Sequence, residues 1–276
     1  MTWWCGAVRL DDVRGFVFDV DGTLVHRAGA VAHVAPGAVE VLEKILGSGR
    51  SFVLFTNGSH VSPEGFAAGL RDVGLPVADE QMLTPLRSAL YYLEQHHPGA
   101  TVRLFGTESA AQYMAAHGVR LVEGVDAEKA EVVFVAHVDE LSLEELEHAA
   151  RAIMAGGELL TGSYVPAYAG ANGPIISRGA MTAAALAKAS SVQPKIVGKP
   201  SEAAVAVVSE RLGLPGSEIA VIGDDLSMDI GLGHMAGSRT VFVRSGIDGE
   251  LELSRLPEQQ RPHAVVDGVA DVLELL

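Results

Sequence analysis

The chain has 276 residues, 48% of them hydrophobic, which is ample for a core and long enough for either two domains or one large one. Its 20 basic residues against 35 acidic ones leave a formal charge of −15, so a nucleic-acid backbone is not expected as a partner: there is no Lys/Arg cluster to displace its counterions. No apolar run approaches the length that crosses a bilayer, and the opening Met1-Thr-Trp3-Trp4-Cys5-Gly lacks the basic and apolar segments of a secretory signal. The single cysteine cannot form an internal disulfide, which fits a reducing, cytoplasmic setting. Cys5 has no base beside it and is not expected to be catalytic. Trp3 and Trp4 are expected to cover core surface or to pack in an oligomer contact.

Phe16 to Val20 is a β-branched and aromatic run, short enough for a strand buried on both faces, and Gly22 marks its end. Asp19 and Asp21 therefore stand at a strand's C-terminal tip, where open α/β sheets place their ligand crevices, although an ordinary Asp-Gly turn reads the same way. Residues 22 to 34 read as an irregular turn or flap. Pro36 then opens a helical pattern through Val39, Val41, Leu42, Ile45 and Leu46, closed by Gly47 and Gly49. A second buried strand over 51 to 56 runs into Thr56, Asn57 and Gly58. Ser62-Pro63 starts a helix that ends at Gly74, and another runs from Thr84-Pro85 to His97, stopped by Pro98-Gly99. Such alternation predicts a parallel sheet.

From about 100 the pattern starts afresh, with a strand over Val102 to Phe105, a helix over Glu108 to His117, a strand over Val132 to Val135 and a helix over Leu143 to Ala155. That last helix opens with the capping box Ser142-Leu-Glu-Glu145. Leu159 to Ile176 is Gly-rich and carries Tyr164, Pro166, Tyr168, Asn172 and Pro174, the composition of a loop over a ligand or of a long connection. A helix over Met181 to Ala189 follows. Beyond Gln193-Pro194 the first pattern resumes with a strand, Lys199, a helix over 201 to 212, a buried strand over 219 to 222 and a final strand at Thr240 to Val243. The expected architecture is α/β: a Rossmann-like parallel-sheet core over 1–98 and 193–276, interrupted by an inserted α/β cap over 99–192.

Four strings stand at strand ends or helix starts: Asp19-x-Asp21-Gly-Thr23, Thr56-Asn57, Lys199, and Gly223-Asp224-x4-Asp229. Singly, each has an ordinary explanation: a turn, a surface lysine, an acidic helix start favoured by the macrodipole. Together and in this order they resemble the motifs of the haloacid dehalogenase-like (HAD) phosphohydrolase superfamily. Asp21 and Thr56 have 34 residues between them, too few for a folded cap, whereas Thr56 and Lys199 lie 199 − 56 = 143 positions apart. A cap in that second gap resembles the C2-capped, type IIA branch, which includes the N-acetylglucosamine-operon and p-nitrophenyl phosphatases. Where that branch often carries Asn-Pro-Asp after a cap strand, this chain reads Thr161-Gly162-Ser163-Tyr164.

The resemblance implies a Mg2+-dependent phosphatase acting on a small phosphorylated metabolite, such as a sugar phosphate, phosphoglycolate or glycerol phosphate. Asp19 would attack phosphorus, and Asp21 would protonate the leaving oxygen and later activate water. Asp19, Asp21 through its main-chain carbonyl, and Asp224 would hold the Mg2+ with Asp229 in support, and Asp225 would be solvated or lie behind the ligands. Thr56, with the Asn57 and Gly58 amides, would cradle the phosphoryl oxygens, and Lys199 would neutralise charge and hold Asp19. Tyr164 in the cap is a substrate-binding candidate, and His137, Asp139 and Arg178 are substrate-contact candidates. A phosphotransferase using the same aspartyl-phosphate, or a non-catalytic phosphometabolite-binding protein, are the alternatives. Many members of the branch dimerise through the cap, so a homodimer is allowed but not fixed.

Overall fold

The computed structural model describes residues 9–28, 31–168, 175–246, 248–249 and 251–276. Trp3, Trp4 and Cys5, and Asn172 and Pro174 of the Gly-rich stretch, lie outside the described residues.

In chain order the elements are β1 (Gly15–Phe18), β2 (Val25–Ala28), β3 (Val31–Val34), α1 (Ala38–Gly47), β4 (Ser51–Phe55), α2 (Pro63–Asp72), β5 (Met82–Leu83) and α3 (Pro85–His96). Next come β6 (Thr101–Phe105), α4 (Glu108–Ala116), β7 (Arg120–Leu121), β8 (Val132–Val135), α5 (Leu143–Met154), β9 (Glu158–Thr161), β10 (Ala167–Tyr168), β11 (Ile175–Ile176) and α6 (Arg178–Ser190). The chain closes with β12 (Lys195–Ile196), α7 (Glu202–Leu212), β13 (Ile219–Gly223), α8 (Gly231–Ala236), β14 (Arg239–Val243) and β15 (Ala264–Val266). The starts obey local chemistry. Ser62, Thr84, Thr107, Ser142, Ser177 and Ser201 each accept a backbone N–H in the first turn of the helix they precede, and Ser142 with Glu145 completes the expected capping box.

Two parallel sheets organise the chain. The first runs β15-β14-β13-β1-β4-β5, and β1, β4 and β13 are buried along their apolar runs, as strands covered on both faces must be. The second runs β12-β9-β8-β6-β7. Apolar side chains of α3, including Leu86, Leu90 and Leu93, pack in one cluster with Val102, Leu104, Val132, Phe134 and Leu160 of this second sheet. The architecture is thus a Rossmann-like α/β core bearing a second α/β layer, the C2-type cap.

Some segments differ from what the sequence suggests. Val25–Ala28 and Val31–Val34 form an antiparallel pair, Val25 opposite Val34, where an irregular flap is expected; His26, Arg27 and His33 interrupt the apolar signal. Leu159 does not open a loop but lies in β9, a strand between β8 and β12, its four residues hidden behind Gly156-Gly157. The strand after Pro194 joins the second sheet, Lys195 pairing with Leu160, and not the first. Beyond Thr240–Val243 a further strand, β15, forms the edge of the first sheet, too short at three residues to announce itself. The helix expected from Met181 starts at Arg178, where the Ser177 hydroxyl accepts the Ala180 N–H.

Candidate active site

Because β4, β1 and β13 are adjacent and parallel, their C-terminal ends open on one edge of the sheet. Asp19 follows β1 and donates its N–H to the Ile222 carbonyl at 2.9 Å, Thr56 follows β4, and Asp224 follows β13. Lys199 arrives from a different direction, on the short segment between β12 and the Ser201-capped start of α7. Its Nζ donates to Asp19 Oδ1 at 2.7 Å and to Asp229 Oδ1 at 2.6 Å, and lies 5.6 Å from the centre of the Phe55 ring. Asp19, Asp224 and Asp229 each offer a carboxylate oxygen within 4.8 Å of the others.

Lys199 is only 3% exposed and Asp224 and Asp229 are similarly buried, so these charges act on one another with little solvent screening. Burial pushes the Asp19 carboxyl well above the usual carboxylate range; the Lys199 ammonium opposes the rise, and the Asp229 and Asp224 carboxylates add to it. Asp229 is raised for the same first reason, again against Lys199. Burial alone would lower Lys199, but contact with Asp19 and Asp229 holds its ammonium above its ordinary value. Three carboxylates facing one ammonium leave two formal negative charges, 3 − 1 = 2, in a buried, all-oxygen donor set. That charge and that chemistry fit one hard divalent cation such as Mg2+.

The loops are built to hold the carboxylates. Thr23 Oγ1 donates to Asp224 Oδ1 at 3.1 Å, and the Asp225 N–H donates to Asp229 Oδ2 at 3.1 Å. Asp225 is buried, not solvated: its Oδ1 accepts Ser227 N and Met228 N, both at 2.8 Å, and Ser227 Oγ at 2.7 Å, capping the turn that carries Asp229. Asp248 Oδ2 accepts the Leu226 N–H at 2.8 Å, and burial raises its carboxyl. No local pattern in the sequence marks Asp248 or Gly246; at Gly246 a Cβ would lie 1.7 Å from Asp224 Oδ2, so only a glycine backbone passes there without displacing the carboxylate. Ser245 Oγ, one position earlier, donates to the Gly22 carbonyl at 2.8 Å and ties this loop to the first motif.

The phosphate-cradle residues divide. The Gly58 N–H donates to Thr56 Oγ1 at 3.0 Å, which satisfies that hydroxyl as acceptor and leaves its own proton to donate outward. Asn57 turns its carboxamide to the Lys199 peptide, accepting from Lys199 N and donating to Lys199 O, both at 2.8 Å. Asp21 is half-buried and bridges to Val25 at the base of the β2–β3 pair. Tyr164 follows β9 and packs against the apolar cluster of Phe105, Val135, Val138 and Leu159 in the second layer. His137 lies 3.2 Å from Asp139 Oδ1, and Arg178 Nη1 donates to the Asp139 carbonyl at 3.1 Å. These three sit together on the second layer, and the His137 ring meets His60 of the loop after β4 at 5.5 Å.

Residues 16–120 match the family described as Haloacid dehalogenase-like hydrolase, and residues 196–272 match one described as HAD-hydrolase-like. The dihydroxyacetone phosphatase of Corynebacterium glutamicum is 24% identical over 94% of this chain and 90% of its own length. Among solved structures, the 4-nitrophenylphosphatase of Thermotoga maritima superposes with a TM-score of 0.86 at 25% identity, covering 96% of this chain and 98% of that one. A glycerol phosphate phosphatase from Mycobacterium tuberculosis, solved in complex with calcium, gives 0.80 at 27% identity over 94% of this chain and 72% of that one.

Proposed function

The chain belongs to the haloacid dehalogenase-like hydrolases, in their C2-capped, type IIA branch, and from that premise we propose that it hydrolyses a small phosphorylated metabolite through an aspartyl-phosphate on Asp19. It is a phosphoric monoester hydrolase. The observation that carries the finer reading is the Lys199 ammonium joining Asp19 to Asp229, with Asp224 in reach of both.

In the proposed sequence the substrate phosphoryl group enters opposite β1, its oxygens held by the Thr56 hydroxyl and the Asn57 backbone amide, while the Gly58 N–H, expected to join this cradle, is engaged by Thr56 Oγ1 instead. An Asp19 carboxylate oxygen attacks phosphorus while the bond to the leaving oxygen breaks, and Asp21, in its acid form, gives that oxygen its proton. Asp21, now a carboxylate, then takes a proton from the water that attacks the phosphorus of the aspartyl-phosphate, releasing inorganic phosphate and restoring Asp19. Lys199 keeps Asp19 aimed and balances charge spread over the equatorial oxygens. Asp19, Asp224, the Asp21 carbonyl and Asp229 in support would hold Mg2+, which when bound neutralises the repulsion between carboxylate and phosphoryl oxygens.

Relatives named for dihydroxyacetone phosphate and glycerol phosphate support a small polar alcohol as leaving group. Selection among such esters is assigned to the second layer, with Tyr164, His137 and Arg178 as candidates. The test is phosphate release from a panel of phosphorylated metabolites by the purified protein. A reordered ranking in Tyr164→Ala supports the assignment of that residue, and an unchanged ranking removes it.

A further inference from the structure

We propose that the Asn57 carboxamide is a positioning residue that acts through Lys199, fixing the backbone from which the lysine reaches the carboxylates. Asn57 Oδ1 accepts the Lys199 N–H and Asn57 Nδ2 donates to the Lys199 carbonyl, each at 2.8 Å, so one side chain meets both polar groups of one residue as a neighbouring strand would. Nδ2 also lies 3.1 Å from Met228 Sδ, on the turn that carries Asp229. Only a carboxamide of this length both donates and accepts across a single residue. Aspartate has no donor, serine is too short, and glutamine adds a methylene to a closed geometry.

The clamp matters because a lysine is a flexible four-carbon stem carrying a point charge. Its far end is fixed by Asp19 and Asp229, and its near end is fixed by Asn57. The near end belongs to a segment returning from the second sheet, where Lys195 and Ile196 pair with β9. A Cβ on Gly198 would lie 2.1 Å from the Gly162 carbonyl and 2.7 Å from Asn57 Oδ1, so the end of β9 and this returning segment pass each other at backbone distance with the Asn57 side chain filling the same crossing. Asn57 fastens that crossing at the residue whose ammonium serves the site. Its position directly after Thr56 then has a reason: the same turn presents a hydroxyl to the phosphoryl group and an amide to the lysine.

The test has a kinetic arm, which rests on the phosphatase reading, and an exchange arm, which does not. Asn57→Ala, Lys199→Ala and the double variant are compared with wild type on p-nitrophenyl phosphate, and backbone hydrogen exchange is followed at Lys199, with Phe18 and Val221 as reference amides. The Lys199 amide of Asn57→Ala is expected to exchange about tenfold faster or more, with the reference amides unchanged. Its kcat should fall about 10- to 100-fold with KM within about threefold, and in the Lys199→Ala background the same change should cost less than about twofold. Unchanged Lys199 exchange, or losses that multiply in the double variant, overturns the proposal. If wild type releases no phosphate, the phosphatase reading fails and the exchange arm still decides the clamp. If Asn57→Ala does not fold, Asn57→Asp carries the test, because it keeps the acceptor and loses the donor. Retained Lys199 protection with an intermediate kcat supports the clamp, and lost protection overturns it.

Discussion

Lys199 reaches across 180 positions of sequence to place Nζ 2.7 Å from Asp19 Oδ1. The same nitrogen contacts Asp229; the Lys199 and Asp229 side chains lie almost wholly out of water, and Asp19 keeps a small exposed edge at 12%. Breaking a buried pair from one side leaves the partner charges uncompensated. Lys199→Ala is therefore expected to lower the unfolding free energy by about 3–5 kcal/mol, read from urea denaturation at neutral pH. Lys199→Arg should not restore activity, since a planar guanidinium cannot occupy the position of a compact ammonium between two carboxylates. A stability equal to wild type in Lys199→Ala would count against a tightly coupled cluster.

The excess of carboxylate over ammonium makes a second expectation. Adding Mg2+ to chelator-treated protein should raise Tm by several degrees and restore phosphate release, because a ligand bound only by the folded chain stabilises it by mass action. Scanning calorimetry with and without the cation reads this directly. Full phosphate release in the presence of a chelator would remove the cation from the reading.

Gly246 supplies a third test. An alanine there must push the Asp224 carboxylate aside, whereas one at Gly47 meets nothing within 4 Å. Gly246→Ala should weaken Mg2+ binding by about 10- to 100-fold in a calorimetric titration, the usual cost of disturbing the support of a metal ligand, while Gly47→Ala leaves it unchanged. Equal affinities in the two variants would show that Asp224 tolerates the displacement.

A pH effect is expected away from the site. His263 Nδ1 accepts the Thr240 N–H at 3.1 Å, and burial, with His234 and Arg239 nearby, lowers its pKa. The unfolded chain takes up a proton near pH 6.5, the folded chain only below that, so stability falls as pH drops through about 6.5 and levels off beneath the folded value. Between pH 7.5 and 5.5, the unfolding free energy of His263→Gln should show a shallower slope than that of wild type. Parallel slopes would contradict the assignment.

The site residues that were legible in the sequence share one property: each ends a buried apolar run or opens a helix, so position and chemistry are written in the same short string. Asp19, Thr56 and Asp224 are of this kind, and the strands bearing them are neighbours in the sheet. Gly246 was not legible because its contribution is the absence of an atom beside Asp224, a relation between distant loops that no local pattern carries. The role of Asn57 was half legible. Its place after Thr56 marked it, but the direction of its side chain depends on where the segment with Lys199 crosses. Strands β9, β12 and β15 were missed or misplaced for the same reason: two to four residues hold their shape through partners, not through their own periodicity.

Asp19→Asn is the most direct measurement of the central claim, since the substitution keeps the shape of the side chain and removes the attacking carboxylate. With Mg2+ present and p-nitrophenyl phosphate as substrate, phosphate release is expected to fall by about a thousandfold or more while a cooperative thermal transition is retained. Undiminished turnover in a folded Asp19→Asn protein would contradict the account of Asp19 as nucleophile.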